Sequence, residues 1–372
     1  MNRKILITGG AGFIGSHLAD ELLAHDYEVR VLDNLAPQVH GHGHQRPDYL
    51  HGEVELIRGD VRDPGKVRKA LQGCAAVFHF AALMAGGHSF DEMTEYNEIN
   101  NLGTVNLLHA LIERPVERLI VASSMSLYGE GLYRSPDGTL VSGPERTLSQ
   151  LKAGDWEPRN AQGQILTPVP TPETKPPAFA SVYALSKYHQ EQLCLLMGRE
   201  YQIPVVGLRF FNVYGPRQNL GNPYTGVLAH FASRLLNGHP PVIFEDGMQR
   251  RDFVSVHDAA RAARLALESP GAPGRTFNIG SGRNNTVREI AQRLCDVLGC
   301  DNLEPEISGK FRPGDTRHCF ADIRLAREVL NYEPLISFAE GLPEMACWLE
   351  RQVVEDCPED LPAELCDRCV TA

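Results

Sequence analysis

Tyr183 and Lys187 stand four residues apart in a stretch whose pattern predicts a helix over 182–200. Residues at i and i+4 share one helical face. A lysine ammonium beside a phenol favours the phenolate and lowers a pKa of about 10 toward neutrality. A phenol tuned in this way can take a proton from an alcohol or sugar hydroxyl. Alone, such a pair is more often an ordinary surface contact. Its support is Val121-Ala122-Ser123-Ser124-Met125-Ser126, which ends an apolar strand. Open α/β sheets place ligands at the carboxyl ends of their strands. Ser124 can hydrogen-bond a reacting oxygen there; the plainer alternative is that these serines cap a turn.

A second constellation lies near the start, at Thr8-Gly9-Gly10-Ala11-Gly12-Phe13-Ile14-Gly15. Gly9, Gly12 and Gly15 follow an apolar strand and open a helix. The first glycine permits a tight turn, the second lets a pyrophosphate approach the backbone, and the third packs helix on sheet. The N–H groups of the helix start then meet the phosphates. Asp33 ends the next strand, 18 residues beyond Gly15, followed by Asn34. An acid there takes the adenosine ribose hydroxyls and repels a 2′-phosphate, so the pattern favours NAD over NADP.

Positioning these groups requires a sheet. Apolar runs at 4–8, 28–33, 53–58, 76–80, 118–122 and 204–210 alternate with helical stretches at 13–24, from Pro64, at 93–113 and at 182–200. Strands separated by helices of this length imply right-handed crossovers and a buried parallel sheet. The runs are continuously apolar, as burial on both faces requires. A helix over 256–267 and a strand over 276–280 are expected to rejoin that sheet. The fold class is therefore α/β, a Rossmann-type doubly wound parallel sheet with a smaller C-terminal α/β substrate-binding lobe. The expected organisation is a dinucleotide-binding domain over 1–211, a lobe over 212–349 whose residues 253–280 partly rejoin the first domain, and a tail over 350–372. Residues 130–181 interrupt the first domain with a Pro- and Gly-rich insertion; a strand is expected at 163–166, and a lid-like position or a tolerated surface insertion are both open.

The chain carries 36 basic and 47 acidic residues for a net charge of −11, of which the segment from Glu350 onward supplies −5. Such a balance offers no nucleic-acid footprint. No apolar run reaches the length of a membrane span. The nine cysteines are scattered and odd in number, as in a reduced cytoplasmic protein. Cys366 and Cys369 form a single C-x-x-C with Cys357 nearby, which lacks the second pair of a zinc site. His40, His42 and His44 have no acid or cysteine at ligand spacing and read as a solvated loop, so no metal is expected.

The chain resembles the extended short-chain dehydrogenase/reductases, specifically the nucleotide-sugar epimerases and dehydratases, from Lys4 to about Leu349. The resemblance rests on the Gly9–Gly15 turn, Gly59-Asp60-Val61, His79-Phe80-Ala81-Ala82, Asn100-Asn101-Leu102-Gly103-Thr104, the Ser124 segment, Tyr183 with Lys187, Arg209-Phe210-Phe211-Asn212-Val213-Tyr214-Gly215-Pro216, Arg251-Asp252-Phe253 and Arg312-Pro313-Gly314-Asp315. It implies that Asp60 and Val61 hold the adenine, that Phe80, Ala81 and Ala82 line the dinucleotide with Phe13, Ile14 and Asn34, and that Asn100 contacts the cofactor side. It implies that Asn212, Arg251 and Arg312 bind the substrate diphosphate, as guanidiniums can do bidentately. Met84, His88 and Ser126 fall where the family touches the hexose. Lys187 would also bind the nicotinamide ribose. A homodimer is implied, through helices 93–113 and 182–200; Leu107, Leu108, Leu111, Leu193, Leu196 and Met197 are apolar enough for its interface or for interior packing.

The Ser124 segment also separates reactions. The 4,6-dehydratases of this family resemble Thr-Asp-Glu here, and its decarboxylases keep a Glu at the position of Ser126. Methionine moves no proton, and serine is a poor base without an activator. That leaves redox chemistry at a carbinol, as in 4-epimerases. Within these, Leu32–Gly41 and Asn100–Thr104 look most like the dTDP-L-rhamnose 4-epimerases. Those relatives often carry cysteine pairs in the insertion; here none lies between Cys74 and Cys194, so packing must hold it. A one-way dehydrogenase or 4-ketoreductase with exchanging NAD(P) would use the same residues. A redox-sensing scaffold that merely binds NAD would need none of the proton chemistry.

Overall fold

The apolar runs pair into one parallel sheet of seven strands. Their order across the sheet is Arg275–Ile279, Val205–Phe210, Arg118–Ser124, Ala76–His79, Lys4–Thr8, Glu28–Asp33 and Glu55–Arg58. The protein is described from a computed structural model over residues 3–41, 45–84, 90–218, 226–300 and 302–350. Ile5, Leu6 and Ile7 are fully buried, as a central strand covered on both faces must be. Helices Phe13–Leu23 and Val256–Glu268 share one core with Ile5 and Phe78 on one face; helices Gly103–Glu113 and Val182–Glu200 share another with Leu6 and Val77 on the other. The strand order reverses between Lys4–Thr8 and Ala76–His79, where Thr8 lies in register with His79. A crevice opens at such a switch point, beyond the carboxyl ends of the strands.

Local chemistry sets the helix starts. Pro64 occupies the first turn, and the Asp63 carboxylate accepts from the backbone N–H groups of Gly65 and Lys66. Ser181 caps Val182–Glu200 by accepting from Ala184 N–H, which fixes the face carrying Tyr183 and Lys187. The helix expected over 93–113 is divided: Phe90–Tyr96 and Gly103–Glu113 flank a π-helical stretch, Asn97–Leu102. A wider turn of this kind re-aims side chains and is frequent at functional sites. Asn100 is fully buried here, and Gly103 packs so closely on Val61 that an added Cβ would lie 2.6 Å from its Cγ2.

The strand expected at 163–166 is absent. Asn160 instead accepts from the backbone of Gln162 and Gln164, closing a turn in which Gly163 has φ 77°, and Ile165 makes only one bridge, to Arg159. The insertion builds its own antiparallel sheet from Leu132–Arg134, Leu140–Ser142 and Thr167–Val169. Further along, Tyr214, Phe231, Phe253, Ile290, Leu294 and Met345 form a separate core. Leu107, Leu108 and Leu111 are interior, packed under the sheet. Along Asn97–Glu113 and Val182–Glu200 the large apolar side chains that face outward are Leu102, Val105, Leu185 and Leu196, each 44–52% exposed. Among the described residues no helix is long and apolar enough to cross a membrane.

Candidate active site

One cavity of about 1030 Å³ runs along the carboxyl ends of the strands, from the Gly9–Gly15 turn to Arg251 and Arg312. At its first end Gly9 has φ 69°, and a Cβ there would lie 2.7 Å from Ala81 N. A Cβ on Gly15 would lie 2.4 Å from Gly9 O. The turn therefore has no room for a side chain at Gly9 or Gly15, and Gly12, Phe13 and Ile14 at the helix start line the cavity. The Asp33 carboxylate accepts from Ala11 N–H at 3.0 Å and Leu35 N–H at 2.9 Å, which locks the strand end beside the turn. This backbone cradle with an acid at its rim fits the pyrophosphate and ribose of NAD.

His40 departs from the solvated reading. Its side chain is buried, Nε2 lies 3.8 Å from Asp33 Oδ1, and burial pushes its pKa down. The short helix Pro37–His40 turns it into the cavity wall. His42, His44 and the cysteines of the tail lie outside the described residues. Asp60, expected at the adenine, is held by its neighbours. Its carboxylate is taken by Arg62, Arg62 N–H and Asn34, and it does not line the cavity, whereas Val61 and Asn34 do. Asn100 acts from behind the wall: its side chain accepts from Leu83 N–H at 2.7 Å and donates to Ser186 Oγ at 3.0 Å. His88 lies outside the described residues. The remaining expected residues, from Gly9 to Arg312, all line this one cavity.

Ser124, Tyr183 and Lys187 meet at its middle. Ser124 hydrogen-bonds the phenol and accepts from Ser126 Oγ at 2.9 Å. Burial pushes the Tyr183 phenol above its ordinary value, and the Ser124 bond pulls it only partly back. The ammonium of Lys187 makes its hydrogen bond to Gln190 Oε1, at 2.5 Å. The tyrosine–lysine pair thus does not by itself bring the phenol to neutrality, because desolvation opposes it. An oxidised nicotinamide bound beside the phenol would add a positive charge that favours the phenolate.

At the far end Arg251 and Arg312 line the cavity with Asn212. Arg251 donates to the carbonyls of Thr316 and Arg317, and Arg312 lies over the Phe244 ring at 4.7 Å. Asp252, between Arg251 and Phe253, accepts from the N–H groups of Ser281, Gly282 and Ala321; its place in the motif is structural. Sequence reading missed Arg217, which follows Gly215-Pro216 with φ 67°. It lines the cavity, pairs with Asp20 at 2.7 Å and lies over Tyr49. Its Gly-Pro-Arg context was the available signal.

The insertion is tied to this end by charge as well as by packing. Arg146 pairs with Glu245 at 2.8 Å and donates to Asp315 O at 2.8 Å. Glu157 binds Arg317 at 2.6 Å and His318 at 3.0 Å. Burial alone would raise the Glu157 pKa, but these partners outweigh it and hold it at about 2. The contribution of Glu157 to stability is therefore present above its ordinary value of 4.5 and is lost as pH falls toward about 2. Glu157→Gln should lower the melting temperature at pH 7. It should also flatten the fall in melting temperature between pH 5 and 3, read by differential scanning calorimetry.

A family model described as the NAD-dependent epimerase/dehydratase family matches residues 5–152 and 161–280. The chain belongs to that family. As an NAD-dependent family member it uses NAD. It is 35% identical over 356 residues to a dTDP-L-rhamnose 4-epimerase of Burkholderia thailandensis, covering 94% of this chain and 96% of the relative. A crystal structure of the UDP-glucose 4-epimerase of Thermotoga maritima with UDP-glucose superposes with TM-score 0.75 at 32% identity, over 93% of this chain and 98% of that one. The UDP-glucose 4-epimerase of Thermus thermophilus, solved with NAD, gives TM-score 0.71 at 31% identity, over 94% and 100%. Family membership leaves the reaction open, because epimerases and dehydratases share the model.

Proposed function

We propose that this enzyme interconverts the C4 epimers of a nucleotide-diphosphate hexose through a transient 4-keto sugar. The observation that carries the reading is the composition of the cavity's centre. Ser124, Met125 and Ser126 stand beside Tyr183 and Lys187, and the segment has no carboxylate that could drive dehydration. Tyr183 takes the proton of the C4 hydroxyl while Ser124 polarises the C4 oxygen. The bound nicotinamide supplies the hydride acceptor and, on return, the donor. Arg251 and Arg312 hold the diphosphate while the keto sugar turns about its anomeric C–O–P linkage, and Tyr183 returns the proton on the other face. The proposed sugar is dTDP-L-rhamnose or a related dTDP- or UDP-hexose, in a cytoplasmic setting suited to free thiols. Cys74, Cys194 and Cys319 are free thiols.

The test mixes the purified protein with dTDP-, UDP-, GDP- and CDP-hexoses without added cofactor and follows C4 inversion by NMR. Inversion of at least one sugar is expected. Net oxidation or reduction that requires added NAD(P) would replace this reading with a dehydrogenase or ketoreductase.

We also propose a homodimer through the exposed stripe of Leu102, Val105, Leu185 and Leu196. Burying such side chains contributes about 1.5–3 kcal/mol each when complete. Leu185→Glu combined with Leu196→Glu should convert a dimer into a monomer in sedimentation velocity. A wild-type monomer at micromolar concentration would overturn this.

A further inference from the structure

We propose that Gln190 is a positioning residue for proton transfer: fixed by His79 and Thr104, it holds the Lys187 ammonium through its carbonyl oxygen and so sets the pH at which Tyr183 accepts a proton. The kinetic part rests on the epimerase reading; the geometric part does not.

Behind the catalytic pair lies a closed polar cluster of Thr8, His79, Thr104, Lys187 and Gln190, each at most 2% exposed. An ammonium has donors only, so the amide atom facing it, at 2.5 Å, is the Gln190 oxygen. The NH₂ of Gln190 then faces His79 Nε2 at 3.0 Å and Thr104 Oγ1 at 2.9 Å. Burial pushes His79 down to about 3, so it is neutral at physiological pH. With Nε2 accepting, its proton sits on Nδ1 and points to Thr8 Oγ1 at 2.8 Å. Thr8 Oγ1 also accepts from Ala81 N–H at 3.2 Å. Ala81 is the residue packed against Gly9. Donation therefore runs from Lys187 through Gln190 and His79 to Thr8, where the Ala81 N–H meets it from the cofactor cradle, and Gln190 cannot turn its amide over without placing donors against the ammonium.

The other charges around Lys187 are accounted for. Glu191 is bound by Arg209 at 2.9 and 2.7 Å. Burial pushes the Cys194 thiol up to about 12, so it is uncharged. Tyr183 bonds Ser124. Burial lowers Lys187 to about 8, with Glu191 and Cys194 opposing. An ammonium this near titration depends on its acceptor. A charged-group hydrogen bond in a buried site is large enough to move a pKa by about one unit or more. Without the Gln190 oxygen Lys187 loses its proton at lower pH, and Tyr183 keeps its proton to higher pH.

The decisive variant is Gln190→Met, which keeps length and removes the strong acceptor. In the NAD-loaded enzyme, the acidic limb of the kcat–pH profile should move about one unit toward alkali, with KM little changed. A second readout needs no sugar: the ultraviolet titration of the Tyr183 phenolate, taken as the difference between each protein and its Tyr183→Phe counterpart, should move the same way. Thermal melting and bound NAD content check that the fold is retained. Should Gln190→Met not fold, Thr104→Val loosens the same amide and should give a smaller shift of the same sign. An active wild type whose limb and phenolate titration are unmoved in the folded variant overturns the wiring and leaves the proposed function intact. A wild type that inverts no sugar overturns the function, and the phenolate titration still decides on Gln190.

Discussion

Tyr183→Phe should lower the rate of C4 inversion by 10²–10⁴-fold, the range expected when a positioned acid–base group is lost. The substitution removes one oxygen. The ring can keep its place against Tyr96, whose centroid lies 6.1 Å away, and Ser124 keeps its bond to Ser126. The loss should therefore fall on kcat, with KM and the bound NAD content near wild type. The comparison is made by NMR at saturating sugar, with NAD measured after denaturation. Near-normal turnover in the variant would remove Tyr183 from the chemistry and the reaction scheme with it.

Arg317→Met should destabilise the fold by about 3–5 kcal/mol, the cost of removing one partner from a buried ionic set. Arg317 has no exposed side-chain surface, and its guanidinium binds Glu157, Glu245 and Asp246. Burial already raises Glu245, whose charge Arg146 and Arg317 offset. With Arg317 gone, Glu245 keeps Arg146, Glu157 keeps His318, and Asp246 loses the guanidinium that binds it. Urea unfolding at pH 7 should show the loss, and lowering the pH toward 5 should recover part of it as Glu245 takes up a proton. A midpoint equal to wild type would show that the cluster is hydrated and weakly coupled. Because Arg251 donates to the carbonyl of Arg317, sugar-nucleotide binding should weaken as well.

The cofactor half of the site was legible because its chemistry is local. The Gly9–Gly15 spacing, the acid ending the next strand and the apolar runs each constrain a few consecutive residues, and the turn cannot form with side chains in place. Tyr183 and Lys187 were legible for the same reason, being one helical turn apart. Where a side chain's surroundings come from other elements, sequence reading fell short. It did not foresee the bonds that Arg62 and Asn34 make to Asp60. It left His40 in solvent, although a four-residue helix turns it toward Asp33. It placed Leu107, Leu108 and Leu111 at either an interface or the interior, and only packing against the sheet decided for the interior. The insertion, 130–181, had no period to read. Its order comes from Arg146 and Glu157 meeting Glu245 and Arg317, roughly one hundred or more residues away.

The sequence by itself determined the doubly wound sheet, the glycine turn and the placement of Tyr183 and Lys187 one helical turn apart, because short-range sterics and helical periodicity act between neighbours. Only the tertiary structure decided the protonation environment of that pair. Desolvation, the hydrogen bond of Ser124 and the amide of Gln190 arise when 8, 79, 104, 187 and 190 are brought into one dry cluster and 124 meets 183 at the cavity, and no spacing along the chain encodes the dielectric they create together.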